Sequence, residues 1–468
     1  PVQAANLFQV IRSTTPVAQQ TDSALTVLNS TQRATLEGIR QQFAPIFDGL
    51  ALKGIARENI AIAWPFTTQS TTKTLTQMAA VATGKPLAVV ATGLTTAVVP
   101  GLPPVADIYA GSITVPYYSG APSQGNPTAP LTAFWLADTT QRDDAASLLG
   151  APCPALAPST STTACYPLPL KQSDQTIPVL VTIPNANSGQ TMPVTGWPVV
   201  IFQHGITRNR TDMLAIAPAL AAAGFATIAI DLPLHGLPPA DPSRVPGVGE
   251  RTFDLDFVNN TTGAPGPDNV ADSSGTHFIN LSSLLSSRDN LRQAVSDLLT
   301  LTRSAGAAAI LVPEVVNDVP TGQFLPSGMS FDASKIRYVG HSLGGIVTTT
   351  FLGVQVDDSA AVLAMPGGGI AKLLDGSAGF GARIGAGLAA ATANSPPASR
   401  IIEGNDNFET FLRFAQTAVD SADPLNFAAL SSAQHPLLML EVVGDAVVPN
   451  CTIINDSSCP ATHTLTVS

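Results

Sequence analysis

The chain has 468 residues, 45% hydrophobic and 12% charged, with a formal net charge of −11 and a pI near 4.9. That length exceeds what one core usually holds, and the balance is that of a globular chain rather than a disordered one. The acidic charge, without clustered Lys and Arg, argues against nucleic acid, and no apolar run reaches the roughly 18 residues of a membrane-spanning helix.

Residues 1–165 are rich in Thr, Ala, Pro and Gln. In "SALTVLNSTQRATLEGIRQQFAPIFDGL" the spacing of Leu25, Leu28, Leu36, Ile39, Phe43 and Ile46 predicts helix. "GSITVPYYSGAPS" and "LTAFWLAD" read as short strands beside turns. No chemical constellation falls here, so residues 1–165 are expected to form an N-terminal accessory domain. The Pro-rich "APCPALAPSTSTTACYPLPL" has linker composition and marks the boundary to a catalytic domain at 166–468. The four cysteines fall in two close pairs, Cys153 with Cys165 and Cys451 with Cys459. Neither has zinc or redox spacing; both suit loop-closing disulfides, hence an oxidising compartment. The chain opens at Pro1 rather than Met, as expected of a processed or trimmed product.

From about residue 171 strands alternate with helices. "TIPVLVTIP", "WPVVIFQHG" and "ATIAIDLPLHG" are apolar runs of strand length, and "DMLAIAPALAAAGF" is a helix ending at Gly224. In "SRDNLRQAVSDLLTLTRSAG", Leu291, Ala294, Val295, Leu298 and Leu301 share a helix face. "KIRYVG" is a strand, "IVTTTFLGV" a helix, and "AAVLAM" and "PLLMLEVVG" further strands, at least six in all. This order predicts an α/β fold with a mostly parallel sheet whose ligands sit at the carboxyl ends of the strands.

Between strand "KIRYVG" and the next helix lies "GHSLG", with Ser342 at its centre. In a sharp strand-to-helix turn, Gly340 and Gly344 relieve crowding, and the serine stands proud at a helix N-terminus where a developing anion is favoured. Ser342 is the candidate nucleophile. A serine hydroxyl needs a base oriented by an acid, and Asp445, after "PLLMLEVVG", emerges at the right edge of the sheet. Asp231, after "ATIAI", is better assigned to ordering the loop "DLPLHG". Of six histidines only His463 lies downstream of Asp445. Because "HTLTVS" resembles the start of a strand rather than its end, two placements stay open for the base: His463, or a histidine beyond Ser468. The N–H groups of Leu343 and of Ile206, which follows "HG" at His204 and Gly205, are the candidate oxyanion donors.

These stretches resemble the α/β-hydrolases, and more narrowly the extracellular bacterial lipases grouped as virulence-factor lipases. The likeness rests on "VVIFQHGITRNRTDMLAIAPALAAAGFATIAIDLPLHG", "RTFDLDFVNNTTG", "VGHSLGGIVTTTFLG", "AMPGGGIAKLLDGS" and "VVGDAVVPN". It implies an α/β-hydrolase fold with lid insertions, Ser342 as nucleophile, Asp445 as acid, no cofactor, and secretion or residence at the bacterial outer-membrane surface. It also implies acyl esters of glycerolipids as substrates. Such lipases continue well past the equivalent of "DAVVPN" before their histidine.

Two excursions, at about 241–286 and 366–435, are expected to cover the nucleophile and shape an acyl pocket, and the weakly charged segment 379–393 suits either a mobile lid or a packed helix. The pairs Asp254 with Asp256 and Asp268 with Asp272 lack EF-hand spacing and read as loop carboxylates rather than calcium ligands. No metal is expected. The leading function is a secreted lipase or esterase, with phospholipase activity as one form of it, acting on a lipid or other apolar ester substrate. The alternatives are a polyester hydrolase with the same triad and a silent hydrolase-fold surface binding protein.

Overall fold

The computed structural model describes residues 4–64, 68–144, 153, 155–158, 160–316 and 319–450. The chain divides into two compact units, Pro1–Gln69 and Ser70–Ser468. The boundary expected near residue 165 therefore falls inside the larger unit. The reason is strand pairing: residues 87–117 supply two strands to the same sheet as residues 173–440, and their ladders bind them to it. Cys153 and Cys165 form a disulfide with a Cα separation of 5.7 Å. The second expected pair, Cys451 with Cys459, lies outside the described residues.

In the smaller unit, the helices Asn6–Arg12 and Ser30–Ala51 bury Val10, Val17, Leu25 and Leu36. The long helix starts at Asn29, whose side chain accepts from Gln32 N while the Gln32 side chain accepts from Asn29 N. That reciprocal cap satisfies two amides the helix cannot.

The larger unit is built on ten strands: β1 (Leu87–Thr95), β2 (Ala106–Tyr117), β3 (Ser173–Pro184), β4 (Trp197–Gln203), β5 (Ala226–Ile230), β6 (Ala309–Val316), β7 (Val319–Pro326), β8 (Phe331–His341), β9 (Ala361–Ala364) and β10 (Leu437–Leu440). Their order is β10-β9-β8-β4-β5-β3-β2-β1-β6-β7. The block from β10 to β5 is parallel throughout. β3 then pairs antiparallel with β5, β2 with β3 and β1 with β2, β1 pairs parallel with β6, and β6 and β7 form a hairpin at the far edge. Parallel strands end at one edge, so the segments after β4, β5, β8, β9 and β10 share that side of the sheet.

The helix Leu284–Ala305 carries Leu291, Ala294, Val295, Leu298 and Leu301 into the main core with Ile201, Ile228 and Val347. It is buried almost all round, because Asp289, Arg292, Gln293 and Asp297 on its other faces are buried too. The expected helix before Gly224 becomes a 3₁₀ turn, Arg210–Ala215, and a helix, Ala217–Ala222. It ends where Gly224, at φ 83°, lets Phe225 N reach Leu220 O. "LTAFWLAD" is not a strand. A helical turn, Ala129–Thr132, takes its first two residues, Leu136 and Ala137 make isolated bridges to Ser161 and Pro169, and Trp135 N donates to the buried Asp289 carboxylate at 2.7 Å instead of joining a ladder.

Candidate active site

Strand β8 is held by its side chains before it reaches the site. The Tyr338 hydroxyl lies 3.1 Å from Thr302 Oγ1, and its ring packs edge-on against Phe351. The next helix, Leu343–Leu352, begins immediately after Ser342, which sits at φ 53° and ψ −119°. A non-glycine residue in this region is strained by about 1–3 kcal/mol, and the surrounding structure must hold it there. Here Ser342 N donates to Ala364 O on β9 at 2.8 Å, and Ile346 N donates to Ser342 O. The two flanking glycines are required by contact. A Cβ on Gly340 would lie 2.6 Å from Gly344 O, and one on Gly344 would overlap the Gln203 carbonyl. The turn is thus the one expected for "GHSLG".

The segment after β4 lies against the serine: a Cβ on Gly205 would come within 3.2 Å of both Ser342 Cβ and His341 Nδ1. Gly205 O accepts from His204 Nδ1 at 2.8 Å and from Arg208 N at 3.3 Å. The Gly205 carbonyl and the Ile206 N–H belong to one planar trans peptide, so these bonds fix the direction of that N–H. Leu343 N–H is the first amide of its helix, without an intrahelical acceptor. Neither N–H makes a hydrogen bond among the described residues.

A buried polar frame supports this loop. His204 is fully buried, and its Nε2 accepts from Leu232 N at 3.0 Å. Burial lowers its pKa, opposed by Asp231. The His235 ring is 5.1 Å away, and burial and His204 push its pKa well down. Asp231, as expected, orders the loops around it: its carboxylate accepts from Arg210 N and pairs with the Arg210 guanidinium, which also takes both oxygens of Glu250. Burial opposes the charge on Arg210, but the two carboxylates outweigh it and raise its pKa. Nothing in the sequence announced the Arg210–Glu250 pairing, because the two lie 40 residues apart.

Asp445 follows β10, although that strand stops at Leu440 and a turn with Gly444 at φ 75° intervenes. Its Oδ1 accepts from Val447 N and Val448 N at 2.8 and 2.9 Å, while Oδ2 has no hydrogen bond among the described residues. The loop is docked by Ala446 O, which accepts from Gly379 N and Ser377 Oγ. His463 lies outside the described residues. The other histidines are placed elsewhere: His435 faces the carbonyls of Ser359, Leu352 and Gln355, and His277 Nε2 contacts the Asp272 carboxylate at 2.7 Å. Among the described residues no imidazole hydrogen-bonds Ser342.

The excursions wall in the site. The helices Ile370–Gly376, Gly381–Ala391 and Asp406–Val419 share a second core of Ala371, Ile384, Leu388, Phe408, Leu412 and Ala415. Under them is a narrow cavity of about 80 Å³ that reaches Leu343 and Ile346. A wider cavity of about 470 Å³ opens by Ile206 and Thr207, with Thr276 and Arg383 on its wall. Sequence reasoning did not single out Thr207, Thr276 or Arg383, which come from three distant segments. The loop carboxylates serve the backbone: Asp256 accepts from Asp268 N and Asn269 N, Asp268 from Asn260 N, and Asp272 from Phe257 N and Val258 N. Among the described residues no group of three or more His, Cys, Asp and Glu is placed to hold a metal ion.

No family model and no curated protein matches the chain. Among solved structures, it is similar to an acetyl xylan esterase from Paenibacillus sp. R4, at 15% identity and TM-score 0.27 over 57% of this chain and 73% of that one. It is similar also to acetyl xylan esterase 1 from Thermoanaerobacterium sp. JW/SL YS485, at 16% identity and TM-score 0.28 over 57% and 72%. A glucuronoyl esterase from Caldicellulosiruptor kristjansonii gives 15% identity and TM-score 0.25 over 57% of each chain. The parallel block of the sheet and the strand, turn and helix at Ser342 are those of an α/β-hydrolase fold.

Proposed function

We propose that this protein is a serine carboxylic-ester hydrolase of lipase or esterase type, acting on lipid acyl esters. The observation that carries it is Ser342, held at φ 53° between strand and helix beside an apolar cavity that reaches the next residue. Ser342 Oγ attacks the ester carbonyl carbon while its proton passes to a histidine steadied by Asp445, for which His463 is the candidate downstream of that acid in this sequence. The oxyanion is held by Leu343 N–H and Ile206 N–H, aided by the helix dipole. Collapse breaks the bond to the alcohol, which leaves with the histidine's proton. Water then attacks the acyl-enzyme by the same route and frees the acid and Ser342.

The free Oδ2 of Asp445 supports its role as orienter, because it leaves one oxygen for an imidazole N–H. The Cys153–Cys165 disulfide supports secretion or exposure at the bacterial outer-membrane surface. No helix among the described residues is long and apolar enough to cross a membrane. The test is turnover of p-nitrophenyl acyl esters with fluorophosphonate labelling. Ser342→Ala is expected to lose about 10⁴-fold or more in kcat/KM together with the label, and activity retained in this variant sinks the assignment. A second reading, a binding protein with a silent hydrolase shell, rests on the absence of an imidazole at Ser342 among the described residues. It is favoured if the wild-type chain takes no fluorophosphonate label. Product analysis on triglyceride, phospholipid and polyester separates a lipase from a polyester hydrolase.

A further inference from the structure

The two cavities approach the proposed reaction centre from opposite donors. The narrow one touches Leu343 and the wide one touches Ile206, and they are separated by a shared wall that includes Ile279, Leu281 and Ile384. An ester carbonyl held between the two N–H groups would send its acyl and alcohol substituents in different directions, one toward each cavity. The chemistry of the linings decides which goes where. In the narrow cavity the only hydroxyl is that of Ser287, and it is already committed to the backbone N–H and C=O of Asn280. A polar alcohol placed there would lose its hydration without replacement. The wide cavity differs. Thr207 and Thr276 hydroxyls and the exposed Arg383 guanidinium line it, and none of the three groups makes a hydrogen bond or ion pair among the described residues. No carboxylate lines it. In a chain of net charge −11, that leaves a mouth whose one charged lining residue is a cation.

We infer that the preferred substrate is an acyl ester whose alcohol half carries an anionic oxyacid group, bound by Arg383 with the Thr207 and Thr276 hydroxyls, while the acyl chain enters the cavity at Leu343. This rests on the proposed ester hydrolysis and goes beyond it by naming the leaving group. Guanidinium binds planar or tetrahedral oxyanions through paired N–H donors, and it does so most strongly where water is partly excluded.

The test compares kcat/KM for monobutyryl glycerol phosphate and monobutyryl glycerol, whose short chains match the narrow cavity of about 80 Å³ and keep both substrates monomeric, so that interfacial charge plays no part. Wild type is expected to favour the phosphate. Arg383→Glu is expected to lower the phosphate-to-neutral ratio about tenfold or more, and Arg383→Gln by less. Arg413→Gln, which removes a cation whose guanidinium bonds the Glu409 carbonyl away from the cavity, should leave the ratio as in wild type. A ratio in Arg383→Glu within about threefold of wild type overturns the inference. A butyryl ester of a hydroxy acid forms the second arm: equal sensitivity to Arg383 identifies any anion as sufficient, and sensitivity with phosphate alone identifies the phosphate. If the wild-type chain neither hydrolyses p-nitrophenyl esters nor takes the fluorophosphonate label, it is the ester-hydrolase proposal that falls. If it does both and the ratio does not move, only the Arg383 assignment falls.

Discussion

The His204 ring and the Leu232 amide meet at 3.0 Å, and that contact settles the tautomer of the histidine. An amide can only donate, so Nε2 is the acceptor and the proton sits on Nδ1, from which it is given to Gly205 O at 2.8 Å. His204 is thereby a positioning residue for the Ile206 N–H. His204→Phe is expected to lower kcat by about 10²-fold with little change in KM, because the lost interaction belongs to the transition state. A KM effect without a kcat effect would place His204 in a purely structural role. The measurement is steady-state kinetics on a p-nitrophenyl ester alongside the rate of fluorophosphonate labelling.

The same buried pair makes stability depend on pH. Burial lowers the pKa of His204 and lowers that of His235 well below its ordinary value, so the unfolded chain binds protons that the folded one refuses. Stability is therefore full above the unfolded histidine value of roughly 6.5 and declines as pH falls toward the folded values. Asp231 and Arg251 bear on His204, and Arg251 also bears on His235. Asp297, raised by burial against the pull of Arg251, works in the opposite sense. Urea midpoints are expected to drop between pH 8 and pH 5. His235→Phe, placed beside Phe278, should flatten the drop, and an unchanged slope would remove His235 from the account.

Arg210 bridges two carboxylates in a site where all three side chains are at most 1% exposed. Arg210→Ala would leave Asp231 buried without its cation and Glu250 with only Arg244, 3.7 Å away. The expected cost is about 3–5 kcal/mol, far more than a surface ion pair is worth. Chemical denaturation checks it, and a loss below about 1 kcal/mol would mean that water enters and solvates the pair.

Ala415 lines the narrow cavity from the helix Asp406–Val419 and is 7% exposed. If the acyl chain lies there, Ala415→Phe should shorten the preferred chain. The ratio of kcat/KM for p-nitrophenyl butyrate over acetate is expected to fall about tenfold, with overpacking costing about 1–3 kcal/mol of stability. An unchanged ratio would put the chain elsewhere.

Much of this molecule was legible in one dimension. The parallel strands and the elbow at Ser342 follow from short apolar runs broken by Gly, because strand length, helix period and a sharp turn are local properties of the chain. The same logic places Asp445 as the carboxylate beyond a late strand; that strand is four residues long. What only the tertiary structure decided depends on segments far apart in sequence. β1 and β2 join the main sheet, moving the expected boundary from residue 165 to Gln69 and Ser70, since ladder partners leave no local trace. The Arg210 bridge, the tautomer of His204 and the gathering of Thr207, Thr276 and Arg383 around one cavity arise only when loops from different strands are brought to a single edge of the sheet.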